Sequence, residues 1–274
     1  MPIGRRGVAL VGLSLVVFQA CARLATGELT PSPLLTDIQA HTLVAVFAHP
    51  DDETLVAPAL ASYARAGARV FLVIATDGRR GANAWTGIPA GDSLAKVRAN
   101  EARCSARELG LQPPILLGFP DAGLSDFAPW PGKRLDTLAI RLDSILRVLR
   151  PEAVITWGPE GGYGHADHRL TGQAVTQLFQ AGKVPQGVRL FFPGFPEART
   201  ATAPPWYGQR LHPVSESLLS GSVPFTAADR DAAWRSIACH WSQATAREQA
   251  DNRAALDRLW QGAVTFQRWG APVR

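Results

Sequence analysis

Four side chains that can ligate a metal or transfer a proton stand within five positions of this sequence. They are His49, Asp51, Asp52 and Glu53, interrupted by Pro50. A helix-like turn from Pro50 would place His49 and Asp52, three residues apart, on one side of the turn, with Asp51 pointing elsewhere. Two groups could then hold a metal ion while one carboxylate stays available for proton transfer.

A second cluster of such side chains lies in the segment 161–168, whose sequence is GGYGHADH. It supplies two imidazoles, His165 and His168, which are again three residues apart. Together the two clusters offer a His, an Asp and a His as metal ligands, with one Asp and one His left over. An acidic residue at a helix start is common on its own, because it caps the helix. The combination of two such clusters favours one shared site.

Both clusters follow apolar runs that predict buried strands. Residues 43–47 (LVAVF) and 153–157 (AVITW) are short, apolar and rich in β-branched side chains. A predicted helix over 53–66 and a strand over 69–75 complete a β-α-β unit with the first run. Loops after the carboxyl ends of parallel strands line one crevice in an open sheet. We therefore predict an α/β fold: a Rossmann-like, mostly parallel sheet flanked by helices, with the active site at the carboxyl ends of its strands.

The motifs AHPDDE at residues 48–53 and GHADH at residues 164–168 resemble the two signatures of the LmbE-like (PIG-L) family of zinc-dependent N-acetylglucosaminyl deacetylases. Softer resemblance covers roughly residues 40–270. The resemblance implies a catalytic Zn²⁺ held by three protein ligands, His49, Asp52 and His168, with one position left open. Other divalent metals could occupy a site of this kind, so zinc is a preference.

The resemblance also implies a role for each remaining polar side chain. Asp51 is the general base that takes a proton from the attacking water. His165 donates to the developing oxyanion, with Tyr163 as a mobile further donor, and His165 or protonated Asp51 then protonates the leaving amine. Asp167 is the supporting carboxylate that orients His165 and favours its protonated form. Glu53 is expected to support the turn rather than bind metal.

Two loops after predicted strands supply candidate substrate contacts. Arg79 and Arg80 stand where the family usually has an acidic residue, and we hypothesise that one of them contacts an anionic part of the substrate. A solvated turn is an equally supported alternative. Asp121 resembles a residue that accepts hydrogen bonds from sugar hydroxyls, although Pro and Gly neighbours also suit an ordinary turn Asp.

Three further polar residues are interpreted as structural. Arg98 and Glu101, on the helix predicted over 93–110, resemble a family motif and are assigned to packing and ion pairing. His240 lies in a family-like context within a predicted helical segment, 227–260, and a satisfied structural His is the favoured interpretation.

The amino terminus predicts export. Arg5 and Arg6 precede an uncharged stretch, residues 7–20, that is typical of a secretory signal and too short for a confident membrane span. We assign residues 1–22 to a signal peptide or lipoprotein signal, with Cys21 as a candidate lipid anchor. The predicted location is periplasmic, secreted or membrane-anchored.

The rest of the chain predicts one domain. Residues 23–40 form a linker and residues 41–274 a single deacetylase domain, since a hydrophobic content of 46% supplies a sizeable core. Within it, the Pro-rich segment 182–225 predicts an irregular rim or lid. Cys104 and Cys239 could pair in an oxidising compartment, but a small buried Cys104 on its helix is the favoured interpretation.

The charge balance argues against nucleic acid as a partner. The formal net charge is +5, but residues 1–23 carry three Arg and no acidic residue. The remainder has 28 − 3 = 25 basic and 23 acidic residues, a net of +2, and no dense Lys/Arg run. The basic pI of the whole chain therefore reflects the predicted signal segment.

These observations predict an exported, metal-dependent hydrolase that removes an N-acetyl group from an N-acetylglucosaminyl or related amino-sugar conjugate. The amino-sugar assignment rests on the resemblance alone. Two alternatives stay open: an amidase that releases a larger acyl group from a glucosamine conjugate, and a non-catalytic surface protein that binds sugar or metal. A nucleotide-binding domain is disfavoured, because paired carboxylates after the first strand would repel phosphate. The sequence does not indicate the oligomeric state.

Overall fold

The computed structural model describes residue 1 and residues 42–125, 133–203 and 210–270. The strands in these ranges are β1 (Thr42–Phe47), β2 (Arg69–Thr76), β3 (Ile115–Phe119), β4 (Ala153–Thr156), β5 (Arg189–Pro193), β6 (Leu219–Pro224) and β7 (Ala263–Arg268). The helices are α1 (Ala57–Arg65), α2 (Asp92–Glu108), α3 (Lys133–Leu149), α4 (Gly161–Gly164), α5 (Ala166–Gln180), α6 (Glu197–Thr200), α7 (Ala227–Cys239) and α8 (Ala246–Trp260). The predicted signal segment, the linker and Cys21 lie outside the described residues.

The seven strands of the described ranges form one sheet in the order β3-β2-β1-β4-β5-β7-β6. The first five strands in that order are parallel, and β7 runs antiparallel to both of its neighbours. The sheet reverses its direction of growth between β1 and β4, because β1 leads to β2 and β3 on one side while β4 leads to β5 on the other. This arrangement confirms the predicted fold class.

The alternation of side chains along β1 explains why the sheet is covered on both faces. Leu43, Ala45 and Phe47 belong to one apolar core, and Val44 and Val46 to another, and all five are fully buried. The first core includes residues of α1, α7 and α8, and the second includes residues of α3 and α5. A nearly continuous apolar strand is the pattern expected for a parallel sheet between two helical layers.

The helix predicted over 53–66 is divided into two parts. A 3₁₀ turn over Asp52–Val56 is followed by α1, with Pro58 in its first turn, where a missing N–H is not needed. The carboxylate Asp52 therefore starts a tight turn directly after β1, rather than a regular helix.

The helical segment predicted over 227–260 is likewise two helices. Both α7 and α8 begin with a capping box: Thr226 with Asp229, and Thr245 with Glu248. Each box satisfies two backbone N–H groups at a helix start, so it specifies a new helix rather than a continuation. The predicted rim, residues 182–225, contains β5 and β6 of the sheet, and its role as a rim or lid stays a prediction.

Cys104 of α2 and Cys239 at the end of α7 form a disulfide, with their Cα atoms 5.7 Å apart. The interpretation of Cys104 as a free buried residue was therefore wrong. Two helices far apart in sequence pack side by side here, a relation that the spacing of the cysteines does not reveal. Among the described residues, no helix has both the length and the apolar character required to cross a bilayer.

Asp229 ties α7 to α1 and gives a pH-dependent contribution to stability. It is buried and accepts hydrogen bonds from Arg65 (Nε to Oδ1, 2.7 Å) and from the backbone N–H of Thr226 (2.8 Å). Burial acts to raise the pKa of Asp229, but these bonds hold it below its ordinary value. A lowered pKa stabilises the fold above the unfolded-state pKa of about 3.9, and this contribution is lost as the pH falls through the folded-state pKa.

Asp229→Asn is therefore expected to lower the free energy of unfolding by about 1 kcal/mol at pH 7, mainly through the weakened cap, since the half-exposed Arg65 is screened by solvent. The difference from the parent should shrink below about pH 4. Urea unfolding of parent and variant at pH 7 and below about pH 4 measures this difference in the free energy of unfolding. Asp231→Asn, on the exposed side of the same helix, is the matched control. An equal loss at both pH values would contradict the electrostatic explanation.

Candidate metal and catalytic site

The two polar clusters meet at the carboxyl ends of β1 and β4. These strands are adjacent and parallel, and the turn at residues 48–56 follows β1 while the segment 161–168 follows β4. This is the position where the order of strands in the sheet reverses, which leaves a crevice between the loops of neighbouring strands. His49 and His168, 119 residues apart in sequence, come into contact there.

The three predicted ligands converge on one point. His49 Nδ1 lies 3.2 Å from His168 Nε2, which lies 3.1 Å from Asp52 Oδ1. His49 Nδ1 and Asp52 Oδ2 are 3.8 Å apart. A tetrahedral ion with ligands at roughly 2.0–2.1 Å would separate its donor atoms by about 3.4 Å. The donor types, and the distances from His168 Nε2 to the other two ligands, therefore fit a zinc-like divalent ion.

The Asp52 carboxylate is held in place by three donors to one oxygen. Its Oδ2 accepts from the backbone N–H groups of Ala48 and His49, each at 2.9 Å, and from Trp157 Nε1 at 3.0 Å. Burial acts to raise the pKa of Asp52, but the neighbouring His168 and His49 hold it well below the ordinary value. Asp52 is thus an ionised ligand with Oδ1 directed at His168.

His168 is fully buried and has one defined tautomer. Its Nδ1 lies 3.1 Å from the carbonyl oxygen of Gly161, which can only accept, so Nδ1 carries the proton and Nε2 presents a lone pair. Its ring stacks on Trp157 with centroids 4.3 Å apart and planes within 3°. Sequence analysis did not single out Trp157, although its place at the end of the β4 run was a usable signal.

His49 is oriented by two carboxylates on its other nitrogen. Nε2 lies 3.2 Å from Asp121 Oδ1 and 3.4 Å from Asp167 Oδ2. Burial alone would lower the pKa of His49, but Asp121, Asp167 and Asp52 together raise it well above the ordinary value. A proton on Nε2 leaves Nδ1 for a metal, as in the carboxylate–histidine–metal arrangement. The excess of acidic groups around one imidazole favours a cation.

Asp167→Asn is expected to weaken metal affinity by about 10–100-fold, because it removes a charged acceptor from the His49 ring. The fold should be retained, since an amide oxygen can still accept from the backbone N–H of Ala122, which now donates to Asp167 at 2.7 Å. Competition with a metal chelator measures the affinity. Asp92→Asn, at an exposed position, is the control. Unchanged affinity in Asp167→Asn would remove this role for the carboxylate.

Asp51 sits beside the three ligands in an unusual backbone conformation. Its φ is +115°, outside the region that a non-glycine residue normally adopts, and its side chain is 30% exposed. Burial raises the pKa of Asp51 above its ordinary value, although the Arg98 charge acts in the opposite direction. A carboxylate with a raised pKa next to a metal site is suited to accept a proton near neutral pH.

Arg98 donates hydrogen bonds to this turn, whereas sequence analysis assigned it only to packing and ion pairing. It is buried, and its Nη2 donates to the Pro50 carbonyl and to Asp51 Oδ2 (2.9 Å). Its Nη1 donates to the Gly78 carbonyl at 3.0 Å. A Cβ atom at Gly78, where φ is +63°, would overlap the guanidinium, so this position requires glycine. The predicted ion pairing is confirmed, and its partner is the candidate base.

Glu53 supports the turn, as predicted. It accepts from the backbone N–H of Asp51 at 3.1 Å, from the Ser105 hydroxyl and from His240 Nε2 at 2.7 Å. The neighbouring Glu101 accepts from both the backbone and the hydroxyl of Ser242. These bonds connect the turn to α2 and to the segment between α7 and α8.

The Asp167 carboxylate does not orient His165 as predicted, because it faces His49, but its charge acts to raise the pKa of His165, as predicted. The backbone N–H of Asp167 instead donates to His165 Nδ1 at 3.2 Å, which leaves the proton of a neutral ring on Nε2. Burial lowers the pKa of His165, and the neighbouring His49 and His168 lower it further. His165 is therefore a neutral donor near His49, with ring centroids 4.7 Å apart. Tyr163 packs edge-on against His165 and His168.

The three predicted substrate contacts are Arg79, Arg80 and Asp121, and a hydrogen bond joins the loop of the two arginines to Asp121. Arg79 pairs with Asp77 at 2.7 Å and with Asp92 at 3.1 Å, so its charge is already matched by two carboxylates. The Arg80 side chain is exposed, and its backbone N–H donates to Asp121 Oδ2 at 2.9 Å. Burial raises the pKa of Asp121, but the His49 contact dominates and lowers it to about 2. Their contact with a substrate stays a prediction.

Two groups of potential ligands share His49 among the described residues. One comprises His49, His165 and His168, and the other His49, Asp121 and Asp167. The donor atoms of each group lie within 4.8 Å of one another. The set of His49, Asp52 and His168 is preferred because polar partners fix each of its members and leave one atom of each directed inward.

Comparison with known protein families matches residues 44–179 to the family described as PIG-L: GlcNAc-PI de-N-acetylase. A 1D-myo-inositol 2-acetamido-2-deoxy-alpha-D-glucopyranoside deacetylase of Rhodococcus opacus is 35% identical over 155 residues, which are 51% of this chain and 53% of the relative. The chain thus spans about half the length of the relatives that it matches. The carboxyl-terminal third lies outside the matched range.

Three solved structures share the fold. The N,N'-diacetylchitobiose deacetylase of Pyrococcus horikoshii has a TM-score of 0.62 and 19% identity, covering 86% of this chain and 88% of its own. A zinc-inhibited form of teicoplanin deacetylase Orf2 has a TM-score of 0.58 and 17% identity, with 83% and 97% covered. GalB, a 4-carboxy-2-hydroxymuconate hydratase of Pseudomonas putida, has a TM-score of 0.56 and 18% identity, with 85% and 98% covered. Proteins with this fold therefore catalyse more than one reaction.

Proposed function

Because this chain contains a domain of the PIG-L (LmbE-like) family, we propose that it is an exported, metal-dependent hydrolase that removes the N-acetyl group from an N-acetylglucosaminyl or related amino-sugar conjugate. The observation that carries the proposal is the convergence of His49, Asp52 and His168 with Asp51 beside them. Three ligands and a separate carboxylate are what hydrolysis at a metal centre requires.

His49, Asp52 and His168 would hold the metal, and Zn²⁺ is the preferred ion because its usual ligands are imidazole and carboxylate. When bound, such an ion supplies Lewis-acid activation of water and of the amide carbonyl. The zinc-inhibited form of a structural neighbour supports zinc binding within this fold. Another divalent ion with the same ligand preferences could take its place.

Asp51 accepts the proton of the attacking water. Its raised pKa moves its basicity towards neutral pH, and Arg98 fixes the carboxylate from behind. The water oxygen bonds to the acetamide carbon, the C–N bond breaks, and acetate and a free amine are released. The amine takes this proton back from Asp51, because a neutral His165 is a hydrogen-bond donor and not an acid that can protonate it.

His165 stabilises the negative charge that develops on the carbonyl oxygen. The backbone N–H of Asp167 occupies its Nδ1, so its Nε2–H is the available donor, and its lowered pKa keeps the ring neutral. A neutral imidazole donor placed before the reaction begins needs no reorganisation during the step. Tyr163, at the edge of the same rings, is the further donor.

Export is supported by the Cys104–Cys239 disulfide, because disulfides form and persist mainly in oxidising compartments. The proposed location is the periplasm, the extracellular space or a membrane surface, with residues 1–22 as the targeting segment and Cys21 as the candidate lipid anchor. The proposed partner is an amino-sugar small molecule or glycoconjugate, and we do not expect nucleic acid as a partner.

The test is amine release by the zinc-loaded chain from N-acetylglucosamine conjugates with neutral, phosphorylated and lipid-linked aglycones. We expect release from at least one of them, and loss of release after chelation, with recovery on adding zinc. His168→Ala should lose both the metal and the activity. If the chain binds zinc and releases no amine from any conjugate, the deacetylase proposal fails and a binding protein becomes the better description.

A further inference from the structure

A cavity of ≈ 140 Å³ opens next to the candidate base. Asp51, Asp52 and Trp157 border it on the side of the metal ligands. Its volume is close to that of an engineered cavity of roughly 150 Å³ that takes up benzene. An acetyl group, with a single methyl beyond the carbonyl, would leave most of this space unfilled.

The remaining walls of the cavity combine buried aliphatic side chains with neutral polar ones. Leu55, Leu211, Ile237 and Leu256 line it, and all four are buried. Leu256 follows Gln249 by seven residues and Asn252 by four, so α8 presents one face to the cavity, with an apolar position and two amides. Such a lining suits an apolar group that enters past a neutral rim.

His240 gives the cavity a polar element. It lines the cavity, is 4% exposed, and its Nε2 is paired with Glu53. Its Nδ1 has no hydrogen-bond partner among the described residues. Since its charge also acts on Asp51, His240 belongs to the reactive end of the cavity, where a polar group of the substrate or a water can satisfy it.

Several polar side chains of the site lie outside this cavity, although Tyr163 lines it. His165, Asp121 and Arg80 are not among the lining residues. They surround His49 from another direction, with Asp121 3.2 Å from His49 Nε2. The site therefore has a polar side, suited to sugar hydroxyls, and an aliphatic side.

We propose that this cavity binds the acyl group of the substrate, and that the preferred acyl group is an unbranched or cyclic apolar group of about six carbons rather than acetyl. The inference rests on the proposed amide hydrolysis and specifies its substrate class. The amide carbonyl carbon has two substituents, the sugar-bearing nitrogen and the acyl chain. With the sugar on the polar side of the site, the acyl chain enters the cavity.

The specificity would come from the part of the chain outside the matched family range. Leu211, Ile237, Asn252 and Leu256 all follow residue 179, where the match ends. The metal ligands and Asp51 lie inside that range. Reaction chemistry and acyl preference are thus assigned to different parts of the sequence.

The test compares the zinc-loaded chain on methyl glucosaminides acylated with acetyl, butanoyl and hexanoyl groups. Burial of each added methylene is worth about fourfold in binding when the space is already formed. We expect kcat/KM for the hexanoyl substrate to exceed that for the acetyl substrate by at least about tenfold. A second series keeps N-acetyl and lengthens the aglycone from methyl to hexyl.

The outcomes separate this inference from the proposed function. Release from the acetyl substrate with no gain along the acyl series would overturn the inference and leave the deacetylase proposal intact. A gain only along the aglycone series would assign the cavity to the aglycone and also overturn it. No release from any substrate of either series would instead remove the proposed function.

A variant at the rim of the cavity tests whether the acyl chain of the substrate lies there. Asn252→Phe, at a half-buried rim position, should fill part of the cavity and lower the ratio of hexanoyl to acetyl kcat/KM by at least about tenfold. Ala254→Phe places the same side chain at an exposed position of α8 and should leave the ratio unchanged. An unchanged ratio in Asn252→Phe would show that the acyl chain does not occupy this cavity.

Discussion

Asp51→Asn is expected to reduce kcat for amine release by about 10²–10⁴-fold while the protein keeps its metal. An amide cannot accept the proton of the attacking water, and a positioned general base contributes a factor of this size. The metal should be retained because the converging donor atoms belong to His49, Asp52 and His168. Loss of activity at constant metal content distinguishes a base from a ligand.

The asparagine variant also suits the backbone at this position. Asp51 has a φ of +115°, and Asn is among the few residues other than glycine that tolerate positive φ. A fall in activity would therefore not reflect a collapsed turn. The measurement combines single-turnover rates with metal analysis, and Asp143→Asn on α3 is the control for the same chemical change at a distant ion pair. Activity within tenfold of the parent, with metal bound, would exclude Asp51 as the base.

Removal of the Cys104–Cys239 disulfide is expected to lower the free energy of unfolding by about 2–5 kcal/mol. The bond joins residues 135 positions apart, and closing a long loop restricts the unfolded chain strongly. It also fastens α2 to α7. Because α7 carries Ile237 of the cavity wall, the change should reduce the hexanoyl preference as well as stability.

The disulfide experiment has an internal control. The double variant with Cys104→Ala and Cys239→Ala should unfold at the same denaturant concentration with and without a thiol reductant. The parent should match the variant only when reduced. Equal stability of the oxidised and reduced parent would contradict a stabilising role for this bond.

The strands that carry the site were predictable because their signal is local. The runs at 43–47 and 153–157 are apolar throughout, and each overlaps a central strand of the sheet, β1 and β4. The two outer strands β6 and β7 were not predicted. β6 contains Gly221 among small polar residues, and β7 is a short alternating segment after a long helix, so neither has a strong pattern of its own. Hydrogen-bond pairing with adjacent strands determines β6 and β7.

The candidate site divides in the same way. Spacing indicated the two clusters that supply the metal ligands, since positions three apart after a strand converge, but the choice of His168 over His165 followed the family resemblance. The hydrogen-bond partners of these ligands could not be predicted from the sequence, because they depend on which loops the sheet brings together. Asp167 is two residues from His165, yet its carboxylate faces His49, and Arg98 reaches Asp51 from a helix 47 positions away in sequence. Tertiary packing sets these contacts, and no sequence period encodes them.

The adjacency of β1 and β4 has a consequence for how the protein responds to metal. A bound ion would act as a cross-link between the two halves of the sheet, joining His49 to His168 across 119 positions. The unfolded chain cannot reproduce this grouping, so the native state binds the ion far better than the unfolded state does. By mass action the melting temperature then rises with the free metal concentration, and at a hundredfold excess over the dissociation constant the stabilisation is about 2.7 kcal/mol. Thermal unfolding would thus report metal occupancy even before a substrate is known.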